Sequence, residues 1–179
     1  MKPTETLKRF DSFLAKEGLR LEAVVIGATA LSLLGLIDRQ TRDVDVLAPR
    51  LPPDIASAAN RFAVMLRASG ETLADDWLNN GPDSLASQLP ADWENRLQDV
   101  YTGKALLLRT LSHKDLLRTK LFALCDRGTD LGDCLALNPS PADLTSLEPW
   151  IAYQDANPDW PKHVQVTLRD LAQRLGHGV

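Results

Sequence analysis

Apolar residues recur along the first segment at Leu7, Phe10, Phe13 and Leu14, one face of a helix that Gly18 ends. "EAVVIG" then reads as a short buried strand closing at Gly27, and "ATALSLLGL" as a buried helix with its small residues first. A polar connection, "IDRQT", leads to a second strand from Asp43 to Leu47. The breaker "APRLPPD" precedes a helix whose apolar face is Ile55, Ala59, Phe62 and Leu66 and which stops near Gly70. The stretch "DDWLNNGPDSLASQLPADW" is rich in turn formers and fits no single period. "RLQDVYTGKALLLRTL" predicts a hairpin about Thr102, Gly103 and Lys104. The rest is helical in pattern. "SHKDLLRTKLFALCDRG" opens with Ser112 three residues before Asp115, in the manner of a capping box, and "DLGDCLAL" follows. "SPADLTSLEPWIAYQD" has a Ser-Pro start and an internal Pro149 expected to kink or split it, and a closing helix runs to Gly176. Strands come early and helices late, which predicts an α/β (α+β) chain: a core over residues 1–111 and a helical segment over 112–179, packed as a single domain.

Composition changes this picture little. The 179 residues are 44% hydrophobic and 25% charged, ordinary for a soluble globular chain with an adequate core. A formal net charge of -4 provides no global positive field for nucleic acid; a strip from Arg109 through Lys114, Arg118 and Lys120 is the one local basic candidate. Cys125 and Cys134 form no metal-binding or disulfide pattern, and His113, His163 and His177 are scattered. The N-terminal residues have no apolar signal-like core and no run is long enough to span a bilayer, so the expected location is cytoplasmic, with no membrane partner.

The chemistry concentrates in "RQTRDVDVLAP". On a strand, Asp43 and Asp45 project to one side and Val44 and Val46 to the other. Like charges so placed repel unless something positive lies between them: solvent and salt, an arginine, or a divalent metal. Upstream, Gly27-Ala28-Thr29-Ala30 joins a strand to a helix with small residues, which either lets backbone N–H groups approach a phosphate or serves packing alone. Lys120 falls within the apolar stripe of Leu116, Leu117, Leu121 and Leu124, as a snorkelling side chain or as a cation held for a phosphate or carboxylate. Arg39 is a phosphate ligand or, the favoured reading, a partner of Asp43 or Asp45. Asp130 and Asp133 share a helix face, where they neutralise Lys120, position an acceptor or cap the helix. Trp77, Trp93, Trp150 and Trp160 have no interleaved basic residues and read as core and loop anchors.

"VVIGATALSLLGLIDRQTRDVDVL" resembles the nucleotidyltransferase signature of the DNA polymerase β-like superfamily, through Gly27, Ala28 and Ala30, then Arg39, Thr41, Asp43 and Asp45. "DLLRTKLFALCDRGTDLGDCLAL" is similar to the AbiEii-type branch, with its inward lysine at Lys120, then Asp126-Arg127, Asp130 and Asp133; the middle and tail resemble an uncharacterised bacterial subgroup of that branch. The resemblance implies a minimal nucleotidyltransferase core, a small mixed sheet with helices, plus a C-terminal helical extension. It implies transfer of a nucleoside monophosphate from an NTP to an unknown acceptor (tRNA, protein or small molecule), with Mg²⁺ on Asp43 and Asp45. Lys120 would join Asp43 and Asp45 as a catalytic residue by contacting the triphosphate, and the turn of Gly27, Ala28 and Thr29, with Arg39, Thr41, Lys120, Asp130 and Asp133, would serve nucleotide binding. Some AbiEii-type proteins are toxins paired with an antitoxin protein.

Two departures stand out. Ala28 and Thr29 replace the commoner Gly-Gly or Gly-Gly-Ser, so Ala28 is expected to restrict backbone approach while Thr29 offers a hydroxyl. The superfamily's third carboxylate has no obvious counterpart: "KALLLRTL" lacks an acid, leaving Asp99 as the candidate. Without a third acid, the alternative is a catalytically degenerate fold acting as a nucleotide-binding or protein-interaction module.

Overall fold

The computed structural model describes residues 1–81 and 83–177. Pro82, inside the turn-rich stretch, lies outside the described residues. Two compact units divide the chain, Met1–Ser112 and His113–Val179.

The first unit is built on a five-stranded mixed sheet of order β3-β2-β1-β5-β4. Its strands are β1 (Leu21–Ile26), β2 (Val44–Ala48), β3 (Leu78–Asn79), β4 (Gln98–Thr102) and β5 (Leu106–Thr110). β1 runs antiparallel to β2 and parallel to β5. The hairpin β4–β5 forms about the predicted Gly103 turn. The expected α+β class, a small mixed sheet with helices, is the architecture observed. β3 was hidden in the turn-rich stretch: two residues are too short to show a period.

The two faces of this sheet differ in a way that fixes the site. Ala23, Val25, Val44, Val46, Leu106 and Leu108 point to one side, and each is at most 2% exposed. On the other side lie Glu22, Asp43, Asp45, Asp99 and Arg109, all half-buried or exposed. Period-two alternation therefore sends every charged residue of the central strands to the open face. A bulge between Val24 and Val25 shifts the register, so that Val24 faces Ala48 while Ile26 faces Asp45.

Helices α1 (Pro3–Glu17) and α3 (Pro53–Ala68) meet through aromatic rings: Phe10 lies 5.2 Å from Phe62 and 5.0 Å, edge-on, from Trp77. Trp77 is fully buried and its indole N–H donates to the carbonyl of Ala59, the anchor role expected of it. A second link has no sequence signal. The buried carboxylate of Asp11 on α1 accepts from the backbone N–H groups of Lys104, Ala105 and Leu106 at 3.1, 2.7 and 2.8 Å. Burial pushes its pKa up, but these three donors outweigh that and hold it below the usual aspartate value. Asp11→Ala strands three donors and is expected to cost about 2–4 kcal/mol in chemical denaturation. A depressed folded pKa also means that Asp11 stabilises above the ordinary carboxylate range and loses that contribution as pH falls through its folded value. The variant should therefore show a shallower acid limb than the wild type.

The second unit holds α4 (His113–Arg127), α5 (Leu131–Leu137), α6 (Pro141–Ala152) and α7 (Trp160–Arg174). A reciprocal capping box starts α6, with Ser140 and Asp143 each bonding the other's backbone. Pro149 does not split this helix, which continues through it to Ala152. Phe122, Trp150 and Trp160 pack edge to face, and the Trp160 indole donates to the carbonyl of Ile151. Both cysteines are buried free thiols, each pushed up to about 12 chiefly by burial.

Candidate functional site

The link from β1 to β2 includes the helix α2 (Gly27–Leu33), which starts directly after Ile26, the residue of β1 paired with Asp45. Gly27 has φ +73°, and a Cβ there would lie 2.6 Å from Oδ2 of Asp45. The close approach that glycine permits in the structure is thus made by a carboxylate of the neighbouring strand. Ala28 takes no positive φ, so its methyl group carries no backbone penalty. Gly27→Ala combines αL strain of about 1–2 kcal/mol with displacement of Asp45. The expected outcome is a lower thermal midpoint and weakened metal-dependent nucleotide binding, read by calorimetry and melting on the same samples.

Thr29 is 1% exposed; its hydroxyl donates to the main-chain carbonyl of Asp43 at 2.7 Å and lies 3.3 Å from the hydroxyl of Thr41. Thr41 is also buried, and its N–H donates to the carbonyl of Met1. The two threonines tie α2 to the segment entering β2, which fixes where Asp43 and Asp45 emerge. Their hydroxyls serve that link in the structure. Val44 and Val46 are fully buried while Asp43 and Asp45, which alternate with them, are half-buried, so the alternation read from the sequence sets the carboxylates on the open face. Arg39 is exposed beside a surface depression shared with Lys2, Lys8 and Asp38.

The residue beside Asp45 on the third strand is Asn79. Its amide is turned into local structure: the carbonyl oxygen accepts from Gly81 N–H at 2.6 Å and the NH₂ donates to Asp76 O. Asn80 next to it bonds Leu51 N–H and the carbonyls of Val46 and Pro49, closing the far end of β2. Sequence reading missed both, because "LNN" resembles a turn. Asp99 lies on β4, with β1 and β5 between its strand and β2. Among the described residues, no cluster of three or more His, Cys, Asp or Glu forms a metal site.

Lys120, Asp130 and Asp133 come together within the second unit. The ammonium donates to Asp130 Oδ1 and forms an ion pair with Asp133 Oδ2, both at 2.7 Å, and Arg127 also reaches Asp130. Lys120 is 8% and Asp133 3% exposed, so the lysine of the apolar stripe is buried among acids and does not snorkel. Burial lowers its pKa, but the two carboxylates outweigh this and raise it; Asp130 is lowered by the same contacts against the effect of burial. The expected basic strip is not an exposed cationic surface: Lys120 is enclosed, while Arg118 pairs with Asp115 and lies over the Trp150 ring.

With this geometry in place, comparison with known families is informative. Residues 5–137 match the family described as nucleotidyltransferase of unknown function (DUF6036). No curated protein matches the chain, and no solved structure does. No helix among the described residues is long and apolar enough to cross a membrane.

Proposed function

The chain belongs to that nucleotidyltransferase family, and from this premise we propose that it transfers a nucleoside monophosphate from a Mg²⁺-bound NTP, with Asp43 and Asp45 as the metal ligands. The observation that carries the proposal is the pair of half-buried carboxylates on the open sheet face, with Asp45 set directly against the Gly27 turn. Their chemistry fits Mg²⁺, a hard cation commonly held by one or two carboxylates together with substrate phosphates. When bound, Mg²⁺ would neutralise phosphate charge and assist loss of pyrophosphate.

The protein's own residues supply placement. Thr29, in contact with the Thr41 hydroxyl, holds the Asp43 backbone, and the buried valines fix the direction of both carboxylates. The Gly27 turn lies beside Asp45, where triphosphate oxygens would lie. An acceptor hydroxyl or amine would attack the α-phosphorus, the α–β phosphoanhydride bond would break, and the acceptor's proton would pass to solvent. Likeness to the AbiEii-type branch supports a cytoplasmic toxin with an antitoxin partner.

Asn79 beside Asp45, an amide rather than an acid, favours a second reading: a nucleotide-binding module that does not turn over. Calorimetric titration of each NTP, with and without Mg²⁺, into wild type and the Asp43→Asn, Asp45→Asn double variant tests the binding common to both readings. The expected result is Mg²⁺-dependent binding that the variant loses. Equal binding by both proteins overturns the metal assignment. Pyrophosphate release by the wild type, absent in the variant, selects transfer over binding alone.

A further inference from the structure

The open sheet face continues past the aspartates. Arg109 on β5 pairs with Val24 on β1, and Val24 pairs with Ala48, three positions beyond Asp45 on β2. At the usual strand spacing and rise, the Cα atoms of Arg109 and Asp45 lie roughly 12 Å apart, with both side chains on one face. Beside Arg109 is a cavity of about 340 Å³, close to the lower end of the usual range for small-ligand sites. Its walls include Glu22, Trp93, Glu94, Asn95 and Leu97.

Two features set this cavity apart from a packing defect. The Nε of Arg109 is buried without a hydrogen-bond partner, a deficit that a structural arginine ordinarily avoids. Arg109 is also the one cation lining the cavity among the described residues, set against the two carboxylates of Glu22 and Glu94. A guanidinium in the cavity wall suits an oxyanion, whereas the glutamates repel a polyanion and favour hydroxyl or ammonium groups.

We propose that this cavity is the acceptor subsite: it takes a small polar molecule whose single anionic group meets Arg109 and whose ammonium or hydroxyl groups meet Glu22 and Glu94. The inference rests on the nucleotidyl-transfer reading, because it is that reading which makes a neighbour of Asp45 an acceptor site. It excludes a nucleic-acid backbone as occupant of this cavity, since one cation against two carboxylates cannot hold successive phosphates.

The test follows the Arg109 side-chain Nε–H resonance in ¹⁵N-labelled full-length protein, identified by its loss in Arg109→Lys. Phosphoethanolamine, β-alanine, inorganic phosphate and a ten-nucleotide RNA are titrated in turn. A saturable shift with phosphoethanolamine or β-alanine, roughly tenfold or more weakened by Glu22→Gln, Glu94→Gln, is expected. Which zwitterion binds tells whether the oxyanion is phosphate or carboxylate. No saturable shift with either zwitterion overturns the subsite. A stronger response to RNA, or phosphate binding as tightly as phosphoethanolamine, overturns the assigned substrate class. Mg²⁺-dependent NTP binding is measured on the same variants. Its survival in Arg109→Lys and its loss in Asp43→Asn, Asp45→Asn separate failure of the subsite from failure of the nucleotide site.

Discussion

Lys120→Met is expected to lower the stability of the second unit by about 3–5 kcal/mol, because it leaves buried carboxylates without their cation. Asp133 is 3% exposed and cannot recover hydration without local opening. Asp130 retains Arg127 at 3.1 Å, whereas Asp133 loses the ammonium that stands 2.7 Å away. Two further results distinguish this cause from simple loss of packing. Replacing Lys120 and Asp133 together, by Met and Leu, should return much of the loss, since removing a whole buried pair costs less than breaking it. The pH dependence should change as well. The folded pKa of Lys120 is raised, so its contribution is complete below the ordinary lysine value and fades as pH rises through the folded value. Asp130 is lowered, so its contribution is present above the ordinary aspartate value and fades as pH falls. The wild type should weaken at both extremes, and Lys120→Met should lose the alkaline limb. Hydrogen exchange of α4 and α5 amides across pH reads both effects. A loss under about 1 kcal/mol with an unchanged alkaline limb contradicts the buried ion network.

The second large effect is on ligand binding. Removing one carboxylate from a pair facing a divalent cation forfeits about 2–5 kcal/mol, or roughly thirty- to several-thousand-fold in affinity for Mg·NTP. Asp43→Asn and Asp45→Asn should each show this with little change in melting temperature. Their shape is conserved, and the bond from Thr29 goes to the main-chain carbonyl of Asp43, which asparagine keeps. Val44 and Val46, which hold the strand in the core, are untouched. A fall in stability matching the fall in affinity would instead make the aspartates structural.

What the sequence revealed follows from range and period. β2 was legible because alternation over five residues separates Val44 and Val46 from Asp43 and Asp45, and the α+β class followed from the order of elements. β3 was not, because two residues carry no period, and with it went the position of Asn79 beside Asp45. The Asp11 clamp joins residues more than ninety positions apart, so nothing local marks it. Lys120 was visible as an anomaly in an apolar stripe, and neutralisation by Asp130 and Asp133 was among its readings. Helical spacing alone could not show that the lysine is enclosed by them. Arg109 was read as one end of a basic strip. Sheet register places it on the carboxylate face instead.

The central claim is that Asp43 and Asp45 face a divalent cation, and Mn²⁺ tests it most directly. In ¹⁵N-labelled protein with a saturating NTP, substoichiometric Mn²⁺ should broaden the amides of Ile26, Gly27, Val44 and Asp45 first, and Mg²⁺ in excess should restore them. The Asp43→Asn, Asp45→Asn protein should show no such focus. Broadening centred elsewhere, or identical in wild type and variant, would contradict the account.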